Sequence, residues 1–449
     1  MAKVIKIKKG VDIKLVGPAE KKVSQAQRSS IHALMPDDFI GIVPKMLVKE
    51  GAEVMAGTPI FCDKSHPEIL FTSPVSGEMV EIKRGPKRVI EEIKILADQE
   101  TKYESFPAWN GGSRESLIAS LLQSGLWVFI QQRPYGIIAN PKDQPKNIFV
   151  SGFDTAPLAA DIPFILQGDK AAFQSGIDAL TKLTEGKVYL GIPSGDTFYT
   201  DIKNVEKVAF SGPHPSGNVG VQIHHIQPIN KGDVVWTVNA LDVALIGKSL
   251  KAGQFIAERI VALAGSKVST PQYYRTLIGA SITSIAGTDA AQPDVRAISG
   301  NVLTGTQSNP ESYLGFYDST LSIIPEGNHK KFFLTEGWLA PGFSRFSISH
   351  AYPSWLLGNK RYDLDTNLNG EKRAFVVTGE LERVFPFDIY PMQLLKSIMV
   401  NDIDAMEKLG IYEVLPEDFA LCEVVCTSKI EIQSVVKKGL EDMRKEFSH

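Results

Sequence analysis

"KEGAEVMAGTPIFCDKSHPEILFTSPVSGEMVEI", residues 49–82, sets the fold class of the first part of this chain. Short apolar runs alternate with Gly51, Gly57 and Gly77, each placed where the backbone must reverse tightly or take positive φ. Strands this short, with turns this frequent, make an all-β barrel-sandwich, which the pattern carries to about Thr101. From about Glu104 to Gly265 the pattern changes. "SRESLIASLLQ" and "AAFQSGIDALTKL" are helical, while "KNIFVSGFD", "KVYLGIPSG", "NVEKVAFSG" and "DVVWTVNALDVALIG" begin as buried strands and end in glycine turns or helix. Alternation of this kind implies parallel βαβ units in a Rossmann-like sheet.

Residues 266–329 lose the helical signal. "YRTLIGASI", "VRAISGNVLTG" and "STLSIIPEG" predict the short strands of a small β-grasp-like module. Beyond Lys330 an irregular stretch rich in aromatics and proline precedes helices. "PMQLLKSIMVNDIDAMEKLG" runs from Pro391 as a first-turn residue to Gly410 as a stop, and "SKIEIQSVVKKGLEDMRKEF" aligns Val436, Leu440, Met443 and Phe447 on one stripe. The reading is an α/β multidomain protein divided at 1–101, 102–265, 266–329 and 330–449.

Composition excludes several classes. At 449 residues the chain is too long for one core, and a hydrophobic share of 43% with 22% charged residues is that of a globular protein. A net charge of −3, with acids and bases interspersed, leaves no electrostatic footprint for nucleic acid. Three cysteines build no disulfide framework. "MAKVIKIKKGVDIKL" lacks the apolar centre of a signal peptide and alternates like an edge strand. The uncharged run from Ser116 to Gln132 is too short and too polar for a membrane span, so membrane association is expected through partners.

The skeleton of residues 49–82 resembles lipoyl and biotinyl carrier domains, whose arm lysine projects from a hairpin tip. Here Gly57 lies seven residues before Lys64 and Pro74 ten after it, whereas the arm before the carrier lysine is the longer one. His66-Pro67 follows, and Pro67 removes a ladder hydrogen bond. Lys64 is therefore expected off the tip, as an unmodified surface lysine.

"SGPHPSGNVG", Ser211 to Gly220, is the strongest candidate binding loop. Gly212, Gly217 and Gly220 let main-chain donors face an anion or a carbonyl, Ser216 adds a hydroxyl, and His214 is placed to donate to a quinone oxygen or a phosphate. The other reading is a rigid turn between domains. His224 and His225 sit in a predicted strand, on opposite faces, which argues against one shared metal. Cys422 and Cys426 of "CEVVC" read as buried small hydrophobes on a helix. Phe332, Trp338, Phe343, Phe346, Tyr352 and Trp355 mark an interface or a packed irregular segment. Asp37-Asp38 and Glu91-Glu92 read as solvated.

The order of the segments, with "IKIKKGVDIKL", "RGPKRVIEEIKI", "FSGPHPSGNVGVQIHHI", "ERVFPFDIYPMQLLK" and "LPEDFALCEVVCTSKIEI", resembles the NqrA family of the Na+-translocating NADH:quinone oxidoreductases. The resemblance runs along essentially the whole chain. It implies an SLBB-type β-grasp for the third segment. It also implies a peripheral subunit on the cytoplasmic face of the bacterial inner membrane, with membrane and peripheral subunits as partners. NADH, flavins and an iron–sulfur centre are then expected on those partners, with quinone possible here.

Relatives in complex I and the Rnf complex hold flavin on a GxGGAGFPT segment. The corresponding stretch here is "SGLWVFIQQRPYG", with Trp127, Phe129, Gln131 and Gln132 where bare backbone is required. A redox-inactive chain without cofactor is expected. The alternatives are a self-contained flavoprotein and a lipoyl- or biotinyl-type carrier.

Overall fold

The computed structural model describes residues 3–329, 331, 332, 334, 335 and 339–447. Trp338, among the aromatic candidates, lies outside the described residues.

A seven-stranded sheet is the spine. Its order is Lys3–Lys6, Glu206–Ser211, Val188–Pro193, Ile148–Ser151, Val235–Asn239, Gln131–Arg133 and Ile137–Ile138. The first five run parallel, Gln131–Arg133 pairs antiparallel to Val235–Asn239, and Ile137–Ile138 pairs antiparallel to Gln131–Arg133. Its central strands are apolar on both faces, as a sheet covered by helices requires. Helices Lys170–Leu180 and Ala240–Ala252 cross at main-chain contact. A Cβ on Gly176 would lie 2.0 Å from the Val243 carbonyl, and one on Gly247 2.0 Å from that of Ala172.

The barrel-sandwich comprises a four-stranded sheet (Ile31–Leu34, Ile90–Ala97, Gly77–Arg84, Glu53–Val54) and a three-stranded one (Pro44–Met46, Pro59–Asp63, Leu70–Thr72). Gly51, Gly57 and Gly77 have φ of +81°, +100° and +149°, as their turns demand. Phe61 and Phe71 stack at 4.3 Å in the core. A six-stranded sheet (Thr306–Ser308, Val295–Ser299, Thr320–Pro325, Glu258–Ala264, Gln272–Leu277, Glu20–Gln25) forms the third unit. It also carries a short helix, Ile282–Ala286, in a segment where the sequence shows no helical signal.

Hydrogen bonding redistributes the first residues. The expected edge strand is real, but Lys3–Lys6 pairs with Glu206–Ser211 of the seven-stranded sheet, and Glu20–Gln25 pairs with Gln272–Leu277 of the third unit. The amino-terminal arm therefore crosses two other units before the barrel begins, and Leu15 bridges to Tyr362 on the way. Glu258–Ala264, too, pairs within the third unit's sheet.

In the carboxyl-terminal helices Pro391 does open a helix, Pro391–Met399. A second, Ile403–Lys408, starts on an Asp402 cap, so the predicted single helix is two, and Gly410 ends the pair at φ +86°. In helix Ile432–Phe447, Val436, Leu440 and Met443 are buried as the stripe predicts, while Phe447 is exposed.

Candidate functional site

The loop from Ser211 to Gly220 follows a strand at its carboxyl end, as read from sequence, but it is closed. Gly212 takes φ +126°, and a Cβ there would meet the Ile7 carbonyl at 2.1 Å. The arm is laced to it: the Ile7 N–H donates to Ser211 O (2.7 Å), the Val11 N–H to His214 O (2.9 Å), and the His214 N–H to Asp12 Oδ1 (2.9 Å). The Ser216 hydroxyl donates to Gly212 O (3.1 Å). Gln222, itself buried, donates to Ser151 Oγ (2.8 Å) and to Ser216 O (3.3 Å), and Ser151 Oγ donates to Gly217 O (2.8 Å).

His214 is 3% exposed, and burial holds its pKa down at about 4. Its Nδ1 lies 3.1 Å from Thr155 Oγ1, which accepts the Gly217 N–H at 3.0 Å. The threonine's own proton is thus free for His214 Nδ1, and the ring is neutral at physiological pH. The polar groups predicted to face a ligand face one another.

Gly220 opens the next feature. A Cβ there would lie 2.5 Å from Arg133 Nη1 and from Asp418 Oδ1. Arg133, 1% exposed, donates to Asp418 Oδ2 (3.0 Å), Glu417 Oε1 (2.5 Å) and the Glu413 carbonyl (3.2 Å). Asn218 Nδ2 reaches the Glu417 carbonyl at 3.4 Å. The loop and the guanidinium therefore clamp three bodies together: the arm, the α/β sheet and the terminal helices. Sequence reading missed Arg133, Asp418 and the buried Arg259–Asp242 pair (2.9 Å), whose partners lie far apart in the chain or in different elements.

His224 and His225 are on a helix, Val219–Ile226, not on a strand. The alternating Val219, Val221 and Ile223 imitate β periodicity, but Asn218 starts a helix that buries Gly220 through Ile223. The Asp388 N–H donates to His224 Nε2 (3.0 Å), so its Nδ1 carries the proton that goes to Glu413 Oε2 (2.7 Å). His225 Nδ1 lies 2.9 Å from the Val221 carbonyl.

The acid pairs also divide. Asp38 is half-buried and accepts the Phe316 N–H at 2.8 Å. Burial, with Asp318 nearby, pushes its pKa up to about 7, so it is not the solvated carboxylate expected. Glu92 is partly buried, and its two oxygens face Lys83 (2.8 Å) and Lys94 (3.3 Å).

Strands Pro59–Asp63 and Leu70–Thr72 pair, with residues 64–69 between them and the turn at Pro67–Glu68, so Lys64 follows directly on the strand, off the tip. It is exposed, and its N–H is fixed on Val43 O at 2.8 Å. Pro67 sits in the turn, where no ladder bond is lost.

The residues at the flavin position do not fit a phosphate. Trp127, Val128, Phe129 and Ile130 are at most 1% exposed. Trp127 Nε1–H donates to Ala139 O (2.7 Å), Phe129 stacks on Phe316 (5.1 Å), and the Phe129 and Ile130 N–H groups return to the Leu126 and Trp127 carbonyls. Backbone donors that would line a cradle are consumed in a tight turn packed with core side chains.

The cysteines do not fit a metal either. Cys62, Cys422 and Cys426 are free and buried, and burial holds the Cys422 thiol well above its usual range, away from the thiolate a metal binds. Cys422 lies in helix Ala420–Val425 and Cys426 just past its end. Among the described residues no group of three or more His, Cys, Asp or Glu could hold a metal ion.

A cleft of about 1470 Å³ separates the third unit, the arm and the terminal helices. Ile13, Leu15, Ile298, Val302, Phe346 and Leu364 are among its apolar lining, and the pairs Arg296–Glu326, Lys331–Asp365 and Lys372–Glu431 are among its charges. Among the described residues no helix is long and apolar enough to cross a membrane.

Comparison with known proteins gives the same three units. The NqrA N-terminal barrel-sandwich hybrid domain matches residues 5–98, the NqrA second alpha/beta domain residues 112–255, and the NQRA C-terminal (SLBB) domain residues 260–309. The NqrA protein of the Na(+)-translocating NADH-quinone reductase of Rhodopirellula baltica is 37% identical over 99% of this chain and 98% of its own length. Its counterparts in Photorhabdus laumondii subsp. laumondii and Vibrio atlanticus are 38% and 35% identical over 99% of this chain and 100% of theirs. A chain of an NAD+-reducing [NiFe]-hydrogenase aligns with 76% of this chain and 62% of its own at a TM-score of 0.38 and 9% identity, too weak a likeness to say anything of function. Identity of this extent to the NqrA proteins, in the expected order of domains, shows that the chain belongs to the NqrA family, whose members are subunits of an oxidoreductase complex, the Na(+)-translocating NADH-quinone reductase.

Proposed function

We propose that this chain is the redox-inactive, peripheral NqrA component of a Na+-pumping NADH:quinone reductase, on the cytoplasmic face of the bacterial inner membrane. It braces partner subunits that hold the flavins and the iron–sulfur centre and meet NADH. The observation that carries this reading is the filled turn at Trp127–Ile130, where core side chains occupy the place of a phosphate cradle. The protonated, enclosed Cys422 supports it. For quinone, the closed 211–220 loop speaks against the site read from sequence. The cleft lined by Ile13, Ile298 and Phe346 has the room and the apolar lining that a quinone needs.

The test is the complex with and without this chain. NADH oxidation by the remaining subunits with a soluble acceptor is expected to survive its removal, while quinone-dependent turnover falls. Loss of flavin from the complex in step with this chain would contradict the proposal. Two other readings have their own measurements: a self-contained flavoprotein would be yellow when isolated, and a carrier would show an intact mass raised by a lipoyl or biotinyl group at Lys64.

A further inference from the structure

Residues 342–362 fold into a lobe on their own main chain. The Ser347 N–H donates to Ser354 Oγ (3.0 Å), which donates back to Ser347 O (3.1 Å), and Arg345 Nη1 donates to the Tyr352 hydroxyl (3.1 Å). The base is pinned to the amino-terminal arm. Leu15 bridges Tyr362, Arg361 Nη1 donates to Leu15 O (3.2 Å), and Lys14 Nζ donates to Gly358 O (2.7 Å).

With Phe346 packed inward against the core, the lobe leaves three large apolar side chains exposed. Phe343 is 64% exposed, Trp355 57% and Leu356 65%, with Leu339 and Leu357 exposed beside them in sequence. Exposed apolar groups carried on one short segment mark a contact surface. The charges decide what kind. In a chain of net charge −3, residues 339–362 contain Arg345, Lys360 and Arg361 and no Asp or Glu, and Lys14 joins them at the base. Lys360 Nζ sits on the Phe343 carbonyl at 2.6 Å and over the Tyr362 ring at 5.4 Å, which holds a cation at the main chain of an exposed phenylalanine. Tryptophan and leucine outward among basic side chains form the pattern of an interfacial anchor: apolar groups enter the acyl boundary while the cations stay at the headgroups.

We propose that the lobe formed by residues 342–362 docks directly on an anionic lipid surface through Phe343, Trp355 and Leu356, with Lys14, Arg345 and Lys360 at the headgroups. This goes beyond membership in the complex, and it replaces the expectation that membrane association comes only through partners. It is tested on the isolated full chain, so its failure leaves the proposed function standing.

The experiment is co-sedimentation with vesicles of phosphatidylcholine alone or with added phosphatidylglycerol. Binding is expected to the anionic vesicles and to weaken with salt. It is expected to fall roughly tenfold or more in Trp355→Ser/Leu356→Ser, and by a comparable factor in Lys14→Glu/Lys360→Glu. Brominated phosphatidylcholine in anionic vesicles should quench part of the wild-type tryptophan emission. That part should vanish in Trp355→Phe with affinity nearly kept, a readout that misfolding does not imitate. No binding to anionic vesicles, equal binding to neutral and anionic ones, binding unchanged in the double variants, or binding only to vesicles that already hold partner subunits would each overturn the proposal. The last outcome would assign the lobe to a protein surface.

Discussion

The loop at 211–220 and the lobe at 342–362 are built from similar residues, glycine, proline, serine and a histidine, and they end in opposite states. In the loop every candidate group is spent inside: His214 on Thr155, Ser216 on Gly212, Gly220 against the Arg133–Asp418 pair. In the lobe the polar groups close the backbone, and Phe343, Trp355 and Leu356 stay exposed. The difference comes from the surroundings. The loop lies where the arm, the sheet and the terminal helices meet, and each supplies a partner. The lobe is pinned at its base to the amino-terminal arm and packs Phe346 inward. A segment rich in turn residues is a site when its neighbours leave it unfinished, and a seam when they complete it.

The largest effects are expected at the seam. Arg133→Met leaves the buried Asp418 carboxylate without its cation and is expected to cost about 3–5 kcal/mol in chemical denaturation. A cost below about 1 kcal/mol would mean that the three bodies are held elsewhere. Gly220→Ala places a methyl 2.5 Å from Arg133 Nη1 and Asp418 Oδ1, with an expected loss of about 1–3 kcal/mol in the same measurement.

His214 sharpens the contrast through pH. Its folded pKa is about 4 against an ordinary 6.5, so between those values the unfolded chain takes up a proton that the folded one refuses. Stability should fall as pH drops from 6.5 towards 4, by about 1–3 kcal/mol, and His214→Gln should flatten that limb. Asp38 runs the other way. Its folded pKa of about 7 exceeds the ordinary 3.8, so the folded state keeps a proton that the unfolded one has released. Stability should decline as pH rises from about 4 to about 7 and level off above it. Asp38→Asn, which keeps an acceptor for the Phe316 N–H, should raise the melting temperature at about pH 8 by a few degrees. In the lobe, by contrast, Trp355→Ser should change stability by less than about 0.5 kcal/mol.

The parts of this molecule legible in sequence are those whose reasons are local. Gly51, Gly57 and Gly77 announce the barrel turns, the buried runs at 148–151 and 188–193 announce parallel strands, and Pro391 opens its helix. The bulky side chains at 127–130 are visible too, although only the structure shows them filling the core. What was not legible depends on distance along the chain. Nothing near Lys3 says that it joins a strand about two hundred positions on, nothing near Arg133 names Asp418, and nothing near Asp38 names Phe316. The helix at 219–226 was misread because Val219, Val221 and Ile223 alternate, when the more telling signal was Asn218 after a glycine-rich turn at a strand end. The closure of the 211–220 loop follows from the same blindness, since Asp12, Thr155 and Glu417 come from three other parts of the chain.

The redox-inactive role proposed for this chain rests on the turn at 127–130 being filled with core side chains. Absorption spectroscopy of the purified chain, with flavin and iron quantified on the same sample, tests it most directly. A colourless protein with flavin and iron far below one per chain is the predicted result. Flavin or iron retained at one per chain through gel filtration would contradict it.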